Sequence, residues 1–409
     1  MLDMEWKEVP IENVLDALID YRGKTPQKSV NGIPTLSAKS VKMNFIDYSQ
    51  CYYISESEYK KFMVRGFPQK GDILLTTEAP LGVVARLNRD DVALGQRLIT
   101  LRGKKGILDN GYLLYYLQSP HGQYKLKSRE SGTTVTGIKQ AEFRKLVIPL
   151  PPFSVQQKIA KILSALDDKI ELNNAINRNL EEQAQALFKN WFVDFEPFDR
   201  KMPDDWENSR IGDLPIYVTD YVSNGSFASL KENVALSQDD GFAYFVRNTD
   251  LKVGTFNTFV DEHSYKFLEK SRLFGGEIII SNVGDVGSVF LCPILDRPMT
   301  LGNNIIMLRC ENPCHRNFFY MWFNWFDGQT LIKNITGGSV LQKFNKTDFK
   351  NLKIGMPTNR VLQKFAKIID PYFEHISEIK KENQRLATIR ETILPKLMSG
   401  ELDVVEVRL

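Results

Sequence analysis

From Ile159 to Trp191, apolar and amide side chains recur in alternating steps of four and three: Ile159, Leu163, Leu166, Ile170, Asn173, Asn177, Leu180, Ala184, Leu187 and Trp191. Neither glycine nor proline interrupts residues 154–191, and Ser154, just after Pro151 and Pro152, is a good helix-capping residue. The pattern predicts one helix of about 38 residues, or about 57 Å at 1.5 Å per residue. Globular helices are rarely so long, and a heptad seam held over that distance calls for a second helix against it. Adding 206 to each number supplies one: Phe365, Ile369, Tyr372, Ile376, Ile379, Asn383, Leu386, Arg390, Ile393 and Leu397.

The offset extends well beyond the helices. QQKIAKIL (residues 156–163) and LQKFAKII (362–369) agree at five of eight positions. KGDILLTTEAPLGVVA (70–85) parallels GGEIIISNVGDVGSVF (275–290): an acid, a β-rich run, a polar turn, then Gly82 or Gly287 and a second apolar run. ALGQRLITLR (93–102) parallels TLGNNIIMLR (300–309), and SGTTV (131–135) parallels TGGSV (336–340). Trp6 and Ile11 correspond to Trp206 and Ile211. The same order at a nearly constant offset establishes an internal duplication. The fold class expected is α+β, with two pseudo-repeated mixed α/β modules, each followed by a long helix. The boundaries are 1–150 for the first module, 151–195 for its helix, 196–357 for the second module, 358–400 for its helix and 401–409 for a tail.

Several local expectations follow. Asn177 and Asn383 share one seam position, where a buried amide pair would fix register at some cost in stability. Pro371, which stands where the first copy has Ala165, should kink the second helix or restart it after Asp370. In the repeated phrase, Ile159 and Leu163 should face the opposing helix, and the Gln and Lys residues should face solvent or a partner. The charge-rich stretch 193–207, VDFEPFDRKMPDDWE, reads as a solvated linker.

Composition adds limits. Hydrophobic residues are 43% and charged residues 25% of 409, an ordinary globular balance. The net charge of +3 is too mild to announce a nucleic-acid binder, although local basic faces can hide in such a total. Four scattered cysteines suit a reducing compartment. The opening MLDMEWKEVP lacks the features of a signal peptide, and no apolar run approaches the ~20 residues of a membrane span. A soluble, cytoplasmic protein is expected.

Catalytic patterns are sparse. The chain has no phosphate-cradling GxxxxGK[ST] loop, and NVGDVG (282–287) reads as a turn inside the repeat. Its four histidines lack Ser, Cys or acid neighbours at any familiar catalytic spacing. Cys310, Cys314 and His315 could form half a zinc site, but no second ligand pair follows at finger spacing. Lys70, Asp72 and Glu78 suggest a nuclease cluster, yet Gly275, Glu277 and Val283 stand at the matching positions. The aromatic run FFYMWFNWF (318–326) invites base stacking, but its counterpart YLLYYLQ (112–118) has plain helical spacing, so a helix packed on the sheet is expected. No catalytic residue and no metal site is assigned, which favours a binding or scaffold protein over a stand-alone nuclease or methyltransferase.

At this point the residues carry a resemblance. PLPPFSVQQKIAKILSALDDKIELNNAINRNLEE (149–182) resembles the helical region of specificity subunits of type I restriction–modification enzymes, and TIRETILPKLMSGEL (388–402) resembles that family's second such region. DYRGKTP (20–26) and GIPTLSAKSVK (32–42) look like the start of one of its target-recognition domains. The resemblance covers the whole chain in the right order. It implies that each module is a target-recognition domain reading one half of a split double-stranded DNA site, and that the helices pair as an antiparallel coiled coil acting as a ruler. Since a DNA turn spans about 34 Å, a helix pair of that length suits half-sites one or two turns apart. It further implies modification (methyltransferase) subunits, usually two, docked on the helices and carrying S-adenosylmethionine. Restriction subunits with ATP- and Mg-dependent translocase and nuclease activity would join them. This chain would bind none of these cofactors and catalyse nothing.

Bases are distinguished by groove-edge hydrogen bonds, so polar loop residues at repeat-equivalent positions are the candidates. Thr76 and Thr77 match Ser281 and Asn282; Gln96 and Arg97 match Asn303 and Asn304; Thr133, Thr134 and Lys139 match Ser339, Gln342 and Lys343. Arg22, Lys24, Lys39 and Lys42 form a basic set suited to phosphates, with Arg247, Asn248, Thr249 and Lys252 in the second copy.

Overall fold

A computed structural model describes residues 6–21, 23–132 and 136–404. The chain divides into two compact units, Met1–Ala175 with Ile379–Leu409, and Ile176–Glu378. The division falls inside both long helices, so each unit holds one module and half of each helix.

In the first unit, a four-stranded antiparallel sheet runs in the order Leu15–Asp20, Leu98–Gly103, Ile73–Thr77, Leu81–Arg86. Ile73–Thr77 is buried at every position, which its unbroken β-rich sequence requires of a strand covered on both faces. A smaller sheet orders Tyr52–Ile54, Ile33–Leu36 and Ala93–Leu94, the last two parallel. Lys7–Pro10 pairs with Val147–Leu150 and closes the module on itself. The helix Asn110–Gln118 is capped by Asp109, whose carboxylate accepts from the Tyr112 N–H at 3.0 Å. Its tyrosines and leucines enter the same core as Ile73, Leu75 and Leu101.

The second unit repeats this plan. Ile216–Asp220, Ile305–Cys310, Ile278–Ser281 and Val289–Leu291 form the equivalent sheet in the equivalent order, and Glu207–Arg210 pairs with Lys353–Met356. The smaller sheet has grown to five strands, retaining the parallel pair Ala243–Val246 and Met299–Leu301. The aromatic run forms the helix Pro313–Asn324, with Phe318, Phe319 and Phe323 fully buried. These rings serve packing: Phe192 lies 5.0 Å from Phe318 and 4.7 Å from Phe365, centroid to centroid. The stretch after the first long helix is less free than a solvated linker. Of its acidic residues, Glu196, Asp199, Asp204, Asp205 and Glu207 are exposed and Asp194 is half-buried, but Phe195 and Phe198 fold back edge-on to Trp206 at 5.7 and 5.6 Å.

The long helices span Phe153–Phe192 and Asn359–Ser399. In the first unit, Ile159 and Leu163 share a core with Leu394, Leu397 and Met398. In the second, Ala184, Phe188 and Phe192 share one with Leu362, Phe365 and Ile369. The start of each helix therefore meets the end of the other, an antiparallel pair. The remaining seam positions Leu166, Ile170, Leu180, Leu187, Leu386 and Ile393 are half-buried, and Ile376 is buried.

Three features bear on the sequence reading. Of the two expectations for Pro371, the restart is not met: the second helix is continuous from Asn359 to Ser399, and Pro371 and Pro395 both occupy exposed positions. Asn383 pairs not with Asn177 but with Asn173, whose side-chain N–H donates to it at 2.8 Å and to Glu382 at 2.7 Å. Asn383 itself donates to Asn174 at 2.9 Å. Antiparallel pairing reverses the numbering, so identical repeat positions do not meet. The second copy carries Ile379 where the first has Asn173, so the duplication supplies no second amide, and the Asn177 Oδ1 is buried without a hydrogen bond among the described residues. Finally, Gln156 does not face solvent. It is fully buried, accepts from the Asp109 N–H at 2.9 Å and donates to the Ile107 and Pro151 carbonyls at 2.9 and 2.8 Å. Gln157 and Lys161 are exposed and Lys158 is half-buried.

Candidate nucleic-acid interface

At one end of each large sheet, loops from distant parts of the chain are tied to a single residue. In the first unit the Thr77 N–H donates to the Arg97 carbonyl at 3.0 Å, and its carbonyl accepts from Ile138 at 2.9 Å. In the second, Asn282 donates to the Asn304 carbonyl at 3.1 Å and accepts from Phe344 at 3.0 Å. A further segment joins when Gly95 donates to the Leu36 carbonyl at 2.6 Å, or Gly302 to the Val246 carbonyl at 2.8 Å. Segments separated by as many as a hundred residues thus converge in the same way twice. In the first unit Gln96 also donates to the Thr25 hydroxyl at 2.7 Å, which draws in the segment holding Lys24.

The hairpin beside this cluster is braced by a residue that sequence reading passed over. The Gln123 amide donates to the Gly82 and Leu117 carbonyls at 2.8 and 2.7 Å. Gln329, 206 residues on, donates to the Gly287 and Phe323 carbonyls at 2.8 and 2.5 Å. Gly82 and Gly287 have φ of +90° and +91°, and a Cβ at either would come within 2.7 or 2.8 Å of that glutamine's Oε1. The identity of Gln123 and Gln329 at the repeat offset was the available signal.

Two repeat-equivalent residues of this cluster share an unusual backbone. Arg97 and Asn304 have φ of +64° and +65°, a left-handed conformation that costs a non-glycine residue about 1 kcal/mol or more. Both are exposed, as are their neighbours Gln96 and Asn303. Arg97 is oriented by Glu78 at 3.0 Å, a carboxylate that the sequence had suggested for a nuclease cluster. The same left-handed turn held in two diverged copies projects Arg97 in one and Asn304, a residue that adopts it readily, in the other.

The other candidates separate by burial. Lys24, Lys39, Lys42 and Lys139 are exposed and make no ion pair among the described residues. Thr249, Lys252, Ser339, Gln342 and Lys343 are exposed too. Lys252 binds Asp285 at 2.5 Å, and with Ser288 and Asn248 it holds that carboxyl below the usual range. Thr76, Thr77 and Ser281 are buried and leave the candidate set. The Thr76 hydroxyl is spent inside the hairpin, donating to the Pro80 carbonyl at 2.6 Å and accepting from Val83 at 2.9 Å. Asn282 is half-buried and donates to the Phe344 carbonyl at 3.2 Å. Arg247 grips buried Asp250 through Nη2 at 2.7 Å and Nε at 3.0 Å, and the same carboxylate accepts from the Arg247 N–H at 3.0 Å at the start of the helix Asn248–Val253, so its charge is already paired. Asn248 is half-buried at 3.4 Å from Asp285. Arg22, Thr133 and Thr134 lie outside the described residues.

The groups that hinted at catalysis have structural partners. Arg102 clasps buried Asp72 with two bonds of 2.7 Å, and Arg309 reaches Glu277 at 3.0 and 3.2 Å. The second copy therefore repeats the ion pair with a longer acid. His315 lies 2.8 Å from the Asn359 side-chain oxygen, and burial pushes the Cys310 thiol up to about 12.

Against known proteins, the profile of the type I restriction modification DNA specificity domain matches twice, over residues 4–182 and 203–389. The MjaIX specificity subunit of a type I restriction enzyme of Methanocaldococcus jannaschii is 30% identical over 367 residues, covering 86% of this chain and 82% of that protein. The HindI specificity subunit of Haemophilus influenzae is 23% identical, covering 82% and 87%. A solved type I restriction–modification S subunit from M. genitalium has the same fold, with a TM-score of 0.59, 19% identity and 97% of each chain covered.

Proposed function

Because this chain belongs to the type I restriction–modification DNA specificity family, we propose that it is the DNA-recognition subunit of such a complex. Each module reads one half of an asymmetric, bipartite double-stranded site. The observation that carries this reading is the twice-built loop cluster. One backbone scaffold presents Gln96 and Arg97 in one copy and Asn303 and Asn304 in the other. Arginine and glutamine or asparagine are the side chains that make bidentate contacts to guanine and adenine edges. An identical frame with different readers is what two unlike half-sites require.

The paired helices set the spacing between the half-sites and dock the modification subunits, two in number on this reading. Restriction subunits complete the assembly in the cytoplasm. Methyl transfer, with S-adenosylmethionine, and ATP- and Mg-dependent cleavage belong to those partners, and this chain catalyses nothing by itself. Exposed Gln157 and Lys161 suit a partner-facing strip on the first helix.

The test is an insertion of four residues into each long helix at matched seam positions. Four residues add about 6 Å of helix, which corresponds to about two base pairs at 3.4 Å each. Methylation mapping with the modification partner should show a longer unspecific spacer and unchanged half-sites. Altered half-sites would refute the division between reading modules and measuring helices.

A further inference from the structure

The two modules repeat one scaffold but not one charge. Residues 1–150 hold 22 basic and 16 acidic side chains, a net of +6, whereas residues 196–357 hold 17 and 20, a net of −3. The near-neutral total of the chain hides this difference. It is also local to the loop clusters. In the first module Lys24, Lys39, Lys42 and Lys139 project without ion-pair partners among the described residues. In the second, Arg247, Lys252 and Arg297 each have an acid at hand, and Lys343 makes no ion pair among the described residues. Arg247 is held by Asp250, Lys252 by Asp285 at 2.5 Å, and Arg297 by Asp240. Lys343 aside, the exposed polar side chains there are amides and hydroxyls: Asn303, Asn304, Ser339 and Gln342.

We infer that the modules engage DNA unequally. The first carries the phosphate-neutralising, salt-sensitive share of binding, and the second reads its half-site mainly through neutral donors and acceptors. Physically, a cation already paired with a carboxylate releases few counterions when it meets a phosphate, and a net negative module lowers the local gain further. The first module therefore captures and anchors the duplex, and the second adds discrimination at little electrostatic cost. This rests on the functional reading above and goes beyond it in assigning different roles to the two halves.

The experiment uses the full chain and a duplex carrying its methylation-mapped site, titrated between about 50 and 200 mM salt. One variant combines Lys24→Gln, Lys39→Gln, Lys42→Gln and Lys139→Gln. The other combines Lys252→Gln and Lys343→Gln at the equivalent loops with Lys231→Gln and Lys333→Gln on the helices Phe227–Asn233 and Phe326–Asn334, the same number of charges from the second module. All eight side chains are exposed, so both variants should keep the wild-type melting curve, which is checked first. For the first variant, the plot of log affinity against log salt should become shallower by roughly 0.9 per lost phosphate contact, about 3 to 4 in all. For the second it should change by about 1 or less. Equal changes, or a larger one for the second variant, overturn the inference. A wild-type chain that binds the mapped duplex no better than a scrambled one refutes the functional reading instead, and the salt slopes still compare the two modules as non-specific binders.

Discussion

Gln156→Leu installs in the first copy the residue that the second copy carries at Leu362. By hydrophobic pattern the exchange should be harmless or favourable. The structure says otherwise, because the Gln156 amide is fully buried and satisfies the Asp109 N–H and the Ile107 and Pro151 carbonyls, at 2.8–2.9 Å. Each buried backbone group left unpaired costs about 1–3 kcal/mol. The leucine recovers part of that through its apolar surface, so a net loss of about 3 kcal/mol is expected. In a unit of this size, each kcal/mol corresponds to about 2–4 °C, so the first transition in differential scanning calorimetry should fall by about 6–12 °C. Exposed Gln157→Leu is the control, expected within about 0.5 kcal/mol of wild type. A Gln156→Leu chain melting within about 2 °C of wild type would show that these three bonds do not hold the start of the helix to its module.

Three further expectations follow from the same structure. Arg390 binds Asp167 at 2.7 Å, and the Tyr115 hydroxyl donates to the other carboxylate oxygen at 2.8 Å. Both charged side chains are about one-fifth exposed, so Arg390→Ala should cost about 1–2 kcal/mol in denaturant melts. Adding Asp167→Ala should cost less than the two single changes summed. Arg97→Ala should weaken binding by about 1–3 kcal/mol and relax one base of one half-site, and Asn304→Ala should do so in the other half-site, as read by methylation mapping. Burial raises the Tyr112, Tyr115 and Tyr116 phenols. The unfolded chain then releases these protons near pH 10 while the folded one retains them. Stability should accordingly hold below about pH 10 and fall above it, and melts that stayed level through pH 11 would refute the sign.

The duplication and the long helices were legible from residue pattern alone, because each depends on regularities written along the chain. A seam stepping by four and three needs no tertiary knowledge, and an offset of 206 residues keeps its meaning whatever the fold. The polar loop candidates were legible only in part. Thr76, Thr77 and Ser281 are chemically apt, but they close a hairpin in which strand direction and sheet packing turn them inward. Arg247 reads in sequence as one of a basic set, and only the acid three residues on, folded back under it, shows that its charge is already paired. The Asn pairing followed the same logic. Two amides at the same repeat position do not meet when antiparallel helices reverse the register, so Asn173 met Asn383 and the Asn177 Oδ1 has no partner among the described residues.

Chain order by itself therefore settled what repeats and what is helical, since those properties are periodic and local. Which side of a hairpin a threonine faces, which cation is already neutralised and which glutamine is buried are settled by contacts between residues far apart in sequence. Gln156 illustrates both sides. As the first letter of a repeated helical phrase it marked the duplication, and its own role was decided by a loop nearly fifty residues earlier, which it bonds at Ile107 and Asp109.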